Sequence, residues 1–144
     1  MNLEKVFKLF QKEWSHLNFE LQILTKEKLT FTNELVAEDY FDDGIYSEFI
    51  VYSSGTAHAM FTFDHLEENE ENLKLINDFN SSTPFLKAYI SKKGENKYLE
   101  LHGVNLNSKG ERDVVDSLSY FLRELLNDDV LELLQPLTAR TYKK

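Results

Sequence analysis

The chain has 144 residues, of which 42% are hydrophobic and 13% aromatic, and a formal net charge of −9. That length is close to the commonest single-domain size, and the composition supplies one core and excludes the disordered class. The absence of cysteine excludes disulfides, cysteine nucleophiles and thiolate metal sites. Basic residues are scattered and mostly Lys, with Arg only at Arg112, Arg123 and Arg140, so no basic stripe offers direct nucleic-acid binding.

The opening MNLEKVFKLFQKEW is charged every few residues and lacks the apolar segment of a signal peptide. No run approaches the ~18 apolar residues of a membrane span. These features, with the missing cysteines, lead to the expectation of a soluble cytoplasmic protein in one domain over residues 1–144. The acidity fits solubility, a basic partner, or mimicry of nucleic acid.

Leu3, Val6, Phe7, Phe10, Trp14 and Leu17 form one helical stripe over 3–17, with Asn2 as its N-cap. Phe19, Leu21 and Ile23 then alternate with polar residues, the polar TKEK turns the chain, and alternation resumes over 29–36. After the loop AEDYFDDG, residues 45–53 read as a third strand. SSGT turns into a fourth strand at 57–63, completing a hairpin.

A second helix is predicted over 67–79, with Leu73, Ile76, Phe79 and Leu66 on its buried side, and Pro84 stops it. A second hairpin joins 85–91 to 97–104 around KKGENK. The last long helix places Val114, Val115, Leu118, Phe121, Leu122, Leu125 and Leu126 on one face, and Ser108 with Glu111 has capping-box spacing. Asn127, Asp128 and Asp129 restart a short helix that Pro136 ends. The order α-β-β-β(-β)-α-β-β-α has no βαβ alternation, so the fold class is α+β, an antiparallel sheet packed by helices.

Candidate chemistry is sparse. The loop from Asp39 to Gly44 carries Asp39, Asp42 and Asp43 but fails the calcium-loop pattern, with Phe41 and Ile50 at ligand positions. Asp64, His65, Glu67, Glu68, Glu70 and Glu71 suit the start of a helix without any ligand. The other histidines, His16, His58 and His102, have no fixed spacing to them, so no metal or cofactor is expected. His58 reads as a partly exposed strand residue. No nucleophile elbow or glycine-rich phosphate loop occurs, and no catalytic residue is assigned.

The second hairpin is more informative. With Leu86, Ala88, Ile90, Leu99 and Leu101 against the helices, Phe85, Lys87, Tyr89, Tyr98, Glu100 and His102 face outward. One Phe and two Tyr outside suggest an interface, against the simpler reading of cross-strand pairs that stiffen the hairpin.

The segment L-x-L-I-N-D-F-N at 73–80, the strand FLKAYI at 85–90 and the closing VLELL at 130–134 resemble YbjN-like proteins. These bacterial proteins are proposed to regulate sensory transduction and have a fold similar to type III secretion chaperones. The resemblance implies a homodimer that presents a sheet and helix surface to a partner polypeptide. Four strands before the middle helix, where the chaperones have three, depart from that pattern. At the corner itself, Asn77 and Asn80 suit a helix end, because Asn tolerates the left-handed conformation and its amide can bond loose backbone groups.

The leading expectation is therefore a non-enzymatic protein-binding module with a chaperone-like or regulatory role. The alternative is an acidic inhibitor or immunity protein, mimicking nucleic acid through the clusters at 38–43 and 64–78. A third possibility, an uncharacterised hydrolase, requires a deep pocket with convergent titratable groups.

Overall fold

The computed structural model describes residues 1–41, 44–63, 66 and 68–137. In chain order these form α1 (Leu3–Glu13), β1 (Glu20–Leu24), β2 (Lys28–Leu35), β3 (Ile45–Tyr52), β4 (Ala57–Phe63), α2 (Glu70–Ser82), β5 (Lys87–Lys93), β6 (Asn96–Asn105), α3 (Glu111–Leu125) and α4 (Asp128–Leu134). The six strands make one sheet in the order β1-β2-β3-β4-β6-β5, antiparallel throughout. The fold is α+β, as the sequence predicts, and the segment from 19 to 63 does hold four strands.

Alternation decides which face is covered. Phe31, Leu35, Ile45, Phe49, Val51, Phe61, Leu99 and Leu101 are almost wholly buried and point to the helices, with α1 against β2 and α3 against β4. Phe10 of α1 is the hub. Its ring lies 5.0 to 5.4 Å from those of Phe19, Phe31 and Phe49. Gly103 is required beneath α3, because a Cβ there would lie 2.5 Å from the Phe121 ring. The two helices are tied by a polar link: the Trp14 indole donates to Ser119 Oγ at 3.0 Å, and Ser119 donates to Glu13 at 2.9 Å.

Four details differ from the sequence reading. First, α1 ends at Glu13 rather than 17. The Gln11 side chain donates to Leu17 O (2.7 Å) and accepts from Phe19 N (3.1 Å), which turns the chain into β1 early.

Second, α2 begins at Glu70, where Asn69 caps Asn72 N, and runs on to Ser82. That shift turns Leu73 outward and buries Asn72, while Leu66 is buried ahead of the helix.

Third, the capping box at Ser108 does not form. The helix starts at Glu111 after Gly110, and Ser108 is buried, with its backbone N–H on Gly55 O. Asp113 accepts from Lys109 N instead.

Fourth, no non-glycine residue among the described ones has positive φ, so Asn77 and Asn80 do not adopt the left-handed conformation. Asp42, Asp43, Asp64, His65 and Glu67 lie outside the described residues.

Asn80 has a different task. Its amide donates to Ala88 O at 3.0 Å, and its Oδ1 accepts from Ala88 N at 2.6 Å. One side chain thus satisfies both outward backbone groups of Ala88 on the edge strand β5, as a neighbouring strand would. The opposite edge, β1, is interrupted by an irregularity between Leu21 and Ile23.

Two substitutions test these anchors by urea unfolding. Phe10→Ala empties the aromatic hub and is expected to cost about 3–5 kcal/mol. Asn80→Val leaves two edge groups unpaired and is expected to cost about 1–3 kcal/mol. A loss under ~0.5 kcal/mol at either position is no more than an ordinary surface change and refutes its anchoring role.

Candidate functional site

With the helices on one side, the other face of the sheet is left open. Its rows follow from the register: Glu48, Met60, His102 and Lys87 in one, and Tyr46, Thr62, Glu100 and Tyr89 in the next. A third runs through Ile50, His58 and Val104. Among these Tyr46, Tyr89 and Val104 are 41%, 53% and 51% exposed, an aromatic and aliphatic surface that nothing in the described chain covers.

Four of the six residues expected to face outward lie on this surface: Tyr89, Tyr98, Glu100 and His102. The other two are used differently. Phe85 precedes β5 and packs edge-to-face on Tyr120 of α3, with centroids 4.6 Å apart, at the rim of a shallow hollow shared with Val104 and Phe121. Lys87 starts on the open side, but its ammonium reaches Thr83 O at 3.1 Å and Asn80 O at 2.6 Å. Its charge is held at the C-terminal end of α2, where the helix dipole favours a cation.

The centre of the face is a chain of three polar side chains. His102 Nε2 lies 3.0 Å from Glu100 Oε1, and His102 Nδ1 lies 3.1 Å from His58 Nε2. A carboxylate only accepts, so His102 carries its proton on Nε2 and presents a bare Nδ1 to His58, which donates. The two rings are 24° from coplanar with centroids 5.3 Å apart. That separation is little more than the N···N distance plus a ring radius on each side, so the imidazoles meet end to end, not face to face. Tyr89 closes over His102 edge-on at 5.1 Å.

Half-burial, and then the neighbouring His102, hold His58 below its ordinary pKa of 6.5, which favours its neutral form at pH 7. Sequence reasoning placed His58 on the correct face but gave it no role. The pairing of β4 with β6 brings it to His102 across 44 residues of chain.

A second district lies toward β1. Burial first, and then the carboxylates of Glu48, Glu20 and Glu34, raise the Tyr46 hydroxyl's pKa above 10.0. The open face is therefore acidic at this end. Among the described residues no group of three or more His, Asp or Glu side chains is placed to hold a metal ion, and no helix is long and apolar enough to cross a membrane. The hollows on the surface are shallow and open.

The architecture has a known counterpart. A solved structure of YbjN, a proposed transcription regulator from E. coli, superposes with a TM-score of 0.54 at 11% identity, over 90% of this chain and 87% of that one. The chain folds like YbjN. At that identity the likeness concerns the backbone arrangement and not any site. No protein-family model matches the chain, and no curated protein does. The YbjN resemblance seen in 73–90 and 130–134 thus extends over most of the fold, including its strand-rich first half.

The depressed basicity of His58 has a stability consequence. Its folded pKa lies below its unfolded value, so the unfolded chain binds the extra proton first. This contribution is full above pH 6.5 and declines as pH falls from 6.5 toward the lower folded value. Imidazole NMR should show His58 titrating below 6.5, and His58→Gln should flatten the acid loss of stability. A His58 midpoint at or above 6.5 contradicts the paired geometry.

Proposed function

We propose that the chain is a non-enzymatic protein-binding module with a chaperone-like or regulatory role in the bacterial cytoplasm, and that its open sheet face is the docking surface. The observation that carries this reading is the one-sided sheet: helices bury one face, while Tyr46, Ile50, Tyr89 and Val104 stand on the other. Such a face offers rigid aromatic anchors with little side-chain entropy to lose. The fold likeness to YbjN, itself a proposed regulator, agrees with a role in regulation.

The first occupant is a second copy of the chain. Tyr89 and Val104 stand exposed toward the β5–β6 end of the face, away from the carboxylates of Glu20, Glu34 and Glu48 around Tyr46 at the other. A two-fold axis through the β5–β6 end lets these apolar side chains of each copy bury against those of its partner while the acidic ends stay apart.

A second reading is favoured by the same carboxylates. Three acids around Tyr46 suit an inhibitor or immunity protein that neutralises a basic enzyme. Binding of that kind weakens steeply with added salt, whereas docking through Tyr89 and Val104 does not.

Light scattering on Tyr89→Lys is the test. The wild-type chain is expected at twice its chain mass, and the variant at the single-chain mass with unchanged circular dichroism and melting. A variant that keeps the double mass, or a wild-type chain that stays single at every concentration, overturns the proposal.

A further inference from the structure

The chain from Glu100 through His102 to His58 has the make-up of a metal chelate as well as of a hydrogen-bonded relay. We propose that His58 and His102 form a two-imidazole site for a late first-row transition-metal cation on the open sheet face, tightest for Cu2+. This goes beyond the docking role, and it rests on the side-chain geometry alone.

Three features point to a metal. The facing nitrogens, His58 Nε2 and His102 Nδ1, are 3.1 Å apart. Two imidazoles bound at ~2.0–2.1 Å in neighbouring positions of one metal hold their nitrogens about 3.0–3.4 Å apart, so the bite is already present. The rings meet end to end in the metal-free pair, so each must turn about its soft terminal torsion before both lone pairs aim at one ion.

The second feature is Glu100. Its carboxylate takes the far N–H of His102, at 3.0 Å, which fixes the tautomer with Nδ1 bare. Metal-bound histidines have this support as a rule.

Third, Met60 is directly opposite His102 in the register and two residues beyond His58 on the same face. That leaves an uncharged residue, and no competing cation, next to the pair in the register, and the position of Cu2+ at the top of the divalent affinity order sets the preference for copper. The chain has no cysteine to compete for the ion.

The protons balance without a net change. In the metal-free pair His58 donates from Nε2. On binding, that nitrogen gives its lone pair to the cation, and the proton is carried on Nδ1 instead. Only the tautomer of His58 changes, so no proton is taken up or released, and solvent completes the coordination.

The full chain, free of any affinity tag, is titrated with Cu2+ alone at pH 7, followed by calorimetry and electron paramagnetic resonance. One ion per chain is expected, with coupling to two nitrogens. His58→Ala and His102→Ala should each lower the affinity tenfold or more, and Glu100→Gln by about tenfold, while His16→Ala leaves it unchanged. In the wild-type chain, substoichiometric Cu2+ should broaden the imidazole signals of His58 and His102 before that of His16, which needs no variant to fold. Repeating the titration at protein concentrations a hundredfold apart separates cover by a second copy from lack of a site. Binding that survives in His58→Ala and His102→Ala, or broadening that begins at His16, overturns the proposal, as does no binding at either concentration.

Discussion

The aromatic contact of Phe10 with Phe19, Phe31 and Phe49 sets the rest of the molecule. It fixes α1 over β2 and β3, and so decides that large side chains at the alternate positions of those strands point toward the helices. Because side chains alternate strictly along a strand, the remaining positions must then face away. With α1 and α3 over one side, α2 at β5 and α4 against α3, no described element is left to cover the second face. That face is consequently the place where function has to be sought.

The open face is not a uniform surface. Its middle is a hydrogen-bonded His58–His102 pair held by Glu100 and flanked by Tyr89. Its ends differ, with carboxylates around Tyr46 at one and the exposed Tyr89 toward the other. A surface with ordered side chains in the centre and unlike ends can fix the orientation of whatever docks there. The lowered pKa of His58 also matters: a charged imidazole in the middle would oppose the burial of aromatic neighbours. The hollow beside this face, lined by Phe85, Val104 and Tyr120, is shallow and open.

Much of this fold could be read from the sequence because its signals are local. The stripe from Val114 to Leu125 and the alternation of β3 and β4 each depend only on neighbours a few residues away. Helix ends were harder, since they depend on single polar side chains acting at longer range. Gln11 stops α1 by holding Leu17 and Phe19, and Asn69 starts α2 later than its acidic run suggests. Ser108 had the right spacing for a cap but is buried beside Gly55 instead. The candidate site was legible only in part. Tyr89, Tyr98, Glu100 and His102 belong to one hairpin, so their common face follows from its register. His58 joins them because β6, and not β5, lies beside β4, and no local pattern specifies that neighbour.

The second sheet face is left open in the single chain, and we propose that a second copy covers it. Hydroxyl-radical footprinting across a wide range of protein concentration tests it most directly. In dilute solution Tyr46, Met60 and Tyr89 should be oxidised freely, and they should become protected together as concentration rises, while exposed Leu133 of α4 stays equally reactive throughout. Protection of these three side chains at every concentration would mean that the chain covers the face itself, and unchanging reactivity would mean that the face does not dock a second copy.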